Sequence, residues 1–171
     1  MAAQSRSYSL NAPVPGRVRR VADDLSPHLS GFDHRRRRHS VVCKRLGEGR
    51  RGPLAERVRR ALAGAPAVEV RIDGVGVFED PPTGSAPVVY LAVESPGLGR
   101  LHERLCEVFD PIPGLEGEDY VPHVTLARGG DRETARRLAE RDVDAVSWTV
   151  SELQFWDARD DEAVRTFSLP G

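Results

Sequence analysis

Pro122-His123-Val124-Thr125-Leu126-Ala127-Arg128 has the composition of a single β-strand. Its β-branched residues favour a pleated surface, and every second side chain shares a face. His123 and Thr125 therefore present an imidazole and a hydroxyl to one side, about 6–7 Å apart. Arg128 falls on the opposite parity unless the chain twists out at Gly129. His39-Ser40-Val41-Val42-Cys43-Lys44-Arg45-Leu46 forms a second such strand, again with a histidine at its start. A lone His-x-Thr is a weak signal, because chance supplies such matches. Two histidines at matching points of a repeated pattern are a stronger one.

The pattern around them runs twice. Residues 8–15 form a short strand ended by prolines, and a helix follows from Gly16 to about Ser26 with Val18, Val21 and Leu25 on one stripe. After the His39 strand and the turn at 47–52, Pro53 opens a helix carrying Leu54, Val58, Ala61 and Leu62. Val68–Phe78 alternates as a strand pair or one bent strand. The second round has a strand at 88–94, a helix from Pro96 to about Phe109 (Leu98, Leu101, Leu105, Val108), and a Pro- and Gly-rich loop to Tyr120. The His123 strand, a helix at about 132–141 and an alternating stretch at 146–156 complete it. From the Pro-Gly pair to the strand histidine is 24 residues in the first round and 27 in the second. A last strand, 163–169, returns to one of the sheets. The expected architecture is α+β: one bilobal domain over 1–171, with pseudo-symmetric βαβαβ halves at about 7–80 and 86–169 around a central cleft.

Composition narrows the function. The chain has 171 residues, 39% hydrophobic and 30% charged, too apolar for a disordered chain. It has no apolar run of the ~18 residues that a membrane helix needs. Met1–Arg6 contains no apolar signal core, and Cys43 and Cys106 make neither a disulfide framework nor a zinc site, so a reducing, cytoplasmic setting is expected. Net charge is −1, yet residues 1–60 carry 15 basic and 5 acidic side chains, leaving 10 and 21 for the rest. Such asymmetry suits a local anionic partner. Arg35-Arg36-Arg37-Arg38 abuts His39 and is a candidate clamp for RNA phosphates, or simply a solvated loop. His28, His34 and His102 are taken as surface residues. No third ligand accompanies His34 and His39, so no metal site is expected. No glycine motif or nucleophile elbow points to a cofactor or acyl transfer.

Pro122–Arg128 resembles the second signature of the 2H phosphoesterase superfamily, which includes 2′-5′ RNA ligases and RNA 2′,3′-cyclic phosphodiesterases. His39 through Gly47 is similar to its first signature, a His-x-Thr strand ending in a Leu-Gly turn. The Val14-Pro15-Gly16 step into the first helix also fits, and the resemblance covers about residues 7–169. It implies a bilobal α+β fold, two histidine motifs lining the cleft, and metal-independent chemistry on cyclic phosphodiesters. His39 and His123 would be the acid/base pair, and Thr125 would hold a phosphate oxygen. The expected ligand is RNA or a nucleotide ending in a 2′,3′-cyclic phosphate, opened to a 2′-phosphate or joined in reverse through a 2′-5′ linkage, by a monomer.

The first motif departs from the pattern. Val41 stands where a Thr or Ser is expected, and Gly47 lies one residue too far from His39. A one-residue bulge after His39 would repair the register and turn Lys44 to the cleft. Ser40 is then the one nearby hydroxyl. Arg38, Ser40, Val41, Lys44, Tyr120 and Arg128 complete the candidate substrate contacts, Tyr120 by stacking on a base. A non-catalytic RNA-binding module of the same fold is the alternative.

Overall fold

The structure, a computed structural model, describes residues 6–170. The signal-core reading of the N-terminus thus falls largely outside the described residues. The chain runs β1 (Ser7–Pro13), α1 (Gly16–Leu25), β2 (His34–Arg35), β3 (Ser40–Glu48), α2 (Arg51–Leu62), β4 (Val68–Phe78) and β5 (Val88–Glu94). It continues through α3 (Pro96–Cys106), β6 (His123–Arg128), α4 (Arg132–Ala139), β7 (Val146–Val150), β8 (Glu152–Asp157) and β9 (Glu162–Ser168). Two sheets result, ordered β3-β1-β8-β9 and β2-β6-β5-β4-β7. Every strand pair is antiparallel. Among the described residues, no helix is long and apolar enough to cross a membrane.

The sheets trade strands between the two rounds of the repeat. β4 leaves the first round and pairs with β5 and β7, while β8 and β9 cross back to lie beside β1. The alternating stretch at 146–156 makes this possible by breaking at Ser151, so that Val146–Val150 serves one sheet and Glu152–Asp157 the other. A register shift between Ile72 and Gly74 changes the phase of β4, and burial passes from Val68, Val70 and Ile72 to Val75. One cluster of buried side chains runs through both sheets and all four helices.

The helices follow their apolar stripes. Val18, Val21, Ala22 and Leu25 bury one face of α1; Leu54, Ala55, Val58, Ala61 and Leu62 bury one of α2. α3 starts on Ser95, whose hydroxyl accepts from the Leu98 amide at 3.1 Å, and α4 starts on Asp131, which accepts from Thr134. α3 stops at Cys106, earlier than its pattern predicts. Val108 is left exposed and Phe109 takes the buried place. His102, expected at the surface, is 1% exposed because it falls on the stripe of Leu98, Leu101 and Leu105.

Candidate active site

β3 and β6 line opposite sides of one cleft, and each carries a bulge at the same place. In β6, Tyr90 pairs with Thr125 and Val89 with Ala127, leaving Leu126 extra. In β3, Asn11 pairs with Val42 and Leu10 with Lys44, leaving Cys43 extra. An extra residue inverts the alternation beyond it. His123, Thr125 and then Arg128 therefore face the cleft, as do Ser40, Val42 and then Arg45. The bulge at Leu126 brings in Arg128 despite its parity.

The equivalence is thus Ser40 to His123, Val42 to Thr125 and Arg45 to Arg128. This corrects the expected site. His39 sits one residue before β3, on the parity of the fully buried Val41, and is absent from the cleft lining. The charges acting on its ring are Asp23 and Arg19 of α1 together with Arg36. The bulge lies after Val42 rather than after His39, too late to turn that imidazole inward. Val41 is a core residue, and Val42 lines the cleft instead.

The cleft holds about 370 Å³. Arg36, Arg38, Arg45 and Arg128 all line it, and among the described residues none is ion-paired. The one carboxylate on the lining, Asp161, accepts from Trp156 Nε1 at 3.3 Å. Arg128 Nε is buried without a partner. Burial first, then the neighbouring Arg36 and Arg45, lower the pKa of Arg128. His123 Nδ1 donates to the Val121 carbonyl at 2.7 Å. In the neutral ring Nε2 is then free to accept a proton. Burial, partly opposed by the Val121 bond and reinforced by Arg45, Arg128 and Arg36, lowers the His123 pKa below its ordinary value. The ring is braced by the edges of Phe78 and Tyr90, with centroids at 5.0 and 5.3 Å. Opposite, Ser9 Oγ donates to Asn11 Oδ1 at 2.9 Å, and Asn11 Nδ2 donates to Ser40 Oγ at 3.2 Å. The Ser40 proton stays available to a ligand oxygen. Among the described residues no group of three or more His, Cys, Asp or Glu could hold a metal.

Lys44 and Tyr120 do not meet the expectations set for them. Lys44 is 1% exposed and points away from the cleft. Its Nζ donates to the carbonyls of Arg45 and Asp110 and, at 2.6 Å, to Glu116 Oε1. Glu116 Oε2 accepts the Arg45 amide at 2.8 Å. The pair thus fastens the bulge that aims Arg45. Tyr120 donates its hydroxyl to the Val42 carbonyl at 2.8 Å and stacks on His102, with centroids 3.7 Å apart. One of its ring faces is therefore already occupied. His102 donates from Nδ1 to the Cys43 carbonyl and accepts the Gly117 amide at Nε2. Removing one partner of a buried ion pair costs about 3–5 kcal/mol, because the other charge stays behind. Glu116→Ala is accordingly expected to lower Tm by roughly 6–20 °C, and Lys44→Met combined with Glu116→Leu to recover only part of that loss, because the backbone groups the pair satisfies stay unpaired; both are read by thermal unfolding.

Arg36 and Arg38 of the expected arginine run line the cleft, whereas sequence reasoning missed Ser9, Asn11, Arg45 and Trp156. It also missed a second chamber of about 490 Å³ that shares Val42, Arg45, His123 and Arg128 and is walled by Phe78, Pro81, Pro82, Leu115, Val121 and the expected contact Tyr120. Two close approaches shape this side. Tyr90 lies over Gly76, where a Cβ would strike its ring, and Arg128 lies against Gly84, where φ is +79°.

This architecture, two sheets flanking an arginine-lined cleft with His-x-Thr on one strand, has relatives. The model of the 2′-5′ RNA ligase superfamily matches residues 24–162, and the chain belongs to that superfamily. An RNA 2′,3′-cyclic phosphodiesterase of Methanothermobacter thermautotrophicus is 33% identical over 114 residues; the match spans 63% of this chain and 61% of that protein. The crystal structure of TT0787 from Thermus thermophilus superposes with TM-score 0.70 at 21% identity, covering 96% of this chain and 98% of that one. Escherichia coli LigT complexed with 3′-AMP superposes at 0.71 with 17% identity, covering 97% and 99%. At these identities the superpositions establish the shared fold.

Proposed function

We propose that the protein hydrolyses the 2′,3′-cyclic phosphate at an RNA end or on a nucleotide, with His123 as the one imidazole in the reaction. The observation that carries this reading is the free Nε2 of His123 in a cleft with three converging guanidinium groups, those of Arg36, Arg45 and Arg128, unpaired among the described residues. Water attacks phosphorus, and its proton passes to His123 Nε2. The bond from phosphorus to the 3′ oxygen breaks, that oxygen takes a proton from a second water, and the resulting hydroxide takes the proton held on His123, leaving a 2′-phosphate and a neutral imidazole. Arg45 and Arg128 offset the charge that builds on the phosphoryl oxygens, and Thr125 and Ser40 donate hydrogen bonds to them. The 33% identical relative named for this activity supports the substrate class.

The role of base sets the direction of the pH response, and the lowered pKa moves its onset to more acidic pH. A base works deprotonated, so kcat/KM is expected to rise with pH through a value below 6.5 and then stay level. A profile that falls across that range would instead assign His123 the acid's part. The assay is conversion of an RNA oligonucleotide carrying the cyclic end, in EDTA, from pH 4.5 to 9. A second reading, an RNA-end binder without turnover, is favoured by Ser40 and Val42 standing where symmetry would place a second imidazole and hydroxyl. Salt-sensitive binding with no conversion at any pH would select it.

A further inference from the structure

The two sides of the cleft are built alike but filled differently. On the His123 side, Val88 pairs with both Arg128 and Phe78; on the Ser40 side, Ser9 pairs with both Arg45 and Trp156. Phe78 and Trp156 are thus counterparts on the third strand of each sheet. Phe78 is packed against the protein's own rings, stacked on Tyr90 at 4.2 Å and edge-on to His123 at 5.0 Å. Trp156 has no such cover. With Ser40 at the imidazole's position, no aromatic ring among the described residues packs on it. Its neighbour is the Arg38 guanidinium, 5.9 Å from the ring centroid, and its Nε1 is tied to Asp161.

Arg38 belongs to a segment that crosses between the sheets. β2 pairs with β6, the Arg36 amide donates to the Leu126 carbonyl at 2.8 Å, and five residues after Arg35 the chain is in β3. Arg36 and Arg38 therefore reach the same cleft as Trp156, and Ser9, Asn11 and Ser40 provide a polar floor beside it. Trp156 lies two strand spacings from Arg45, about 10 Å, one nucleotide away from a phosphate held at the centre.

We infer that the Ser40 side of the cleft is a second nucleotide subsite, in which Trp156 stacks on the base next to the terminal one while Arg36 and Arg38 hold the connecting phosphodiester. The ligand class is a single-stranded RNA end of at least two nucleotides. Base stacking on an aromatic face and backbone contact by Arg are the two interactions single strands offer irrespective of sequence. The inference rests on the reading that Arg45, His123 and Arg128 hold the terminal phosphate, and its test is independent of turnover.

Titration calorimetry compares adenosine 2′-phosphate with the dinucleotide ApA carrying a terminal 2′-phosphate. The dinucleotide is expected to bind at least about tenfold more tightly. Trp156→Leu reduces that preference to about twofold, Trp156→Phe keeps it, and Arg38→Ser reduces it while flattening the salt dependence. Far-UV circular dichroism verifies that each variant is folded. Equal binding of the two ligands by the wild type, or a preference that survives Trp156→Leu, overturns the subsite. If mononucleotide binding is lost in Arg128→Ser but shows no dinucleotide advantage in the wild type, the central phosphate site stands and the subsite alone fails. If neither ligand binds, both readings fail.

Discussion

His123→Ala is expected to lower the rate of cyclic-phosphate hydrolysis by about 10²–10⁴, while His39→Ala leaves it within about twofold. The asymmetry is the direct consequence of strand parity. His123 is the one histidine on the cleft lining, with Nδ1 committed to Val121 and Nε2 free. His39 shares its parity with Val41, which has no exposed surface. Most of the loss in His123→Ala should fall on kcat, because Arg45, Arg128 and Thr125 remain to hold the phosphate. Single-turnover kinetics of both variants beside the wild type, on the same RNA substrate, give the comparison. Equal losses in the two variants would falsify the placement of Ser40, rather than His39, opposite His123.

Much of the fold was legible because it rests on local patterns. The apolar stripes of α1 and α2, the Pro-Gly steps into α1 and α3, and the alternation of β4 all carry their structure in spacings of two, three and four. The exchange of β4 with β8 was not legible. It depends on which sheet edge each strand meets, and only the break at Ser151 hints at it. The second motif was legible in His123 and Thr125, and the first was misassigned by one residue. Aligning the halves on their histidines made Lys44 the inward residue and left Gly47 out of place. Aligning them on Arg45 and Arg128 puts Ser40 opposite His123 and gives the two strands matching bulges, after Val42 and after Thr125. A histidine beside the expected position drew the assignment away from a serine in it. Tyr120 and Lys44 were misjudged for a related reason. Polar side chains next to a cleft look functional in sequence, whereas here their polar atoms are consumed by Val42, Glu116 and the backbone of the 110–121 loop.

Ser40→His combined with Val42→Thr is expected to raise kcat/KM for a cyclic mononucleotide at least tenfold over the wild type, because a positioned second imidazole adds general acid catalysis worth about 10²–10⁴ and an unrefined one recovers part of it. Val42→Thr alone adds one hydrogen bond to a phosphoryl oxygen, about 0.5–1.5 kcal/mol, or a factor of roughly 2–10. Both positions are partly open to the cleft, so neither change overfills the core. The pH profile separates a new acid from a general improvement in binding. One imidazole gives a rate that rises and levels off, whereas a base and an acid give a bell that falls again at high pH. The double variant should also bind the dinucleotide with less advantage, since the added ring occupies the space in front of Trp156. A gain in rate with a bell-shaped profile and a reduced dinucleotide preference would tie Ser40 to both effects: the missing imidazole limits the chemistry, and the room it leaves admits the second base. No gain in a variant that folds with an unchanged Tm would place the limit elsewhere, in the charge stabilisation that Arg45 and Arg128 give the phosphoryl oxygens rather than in protonation of the departing 3′ oxygen.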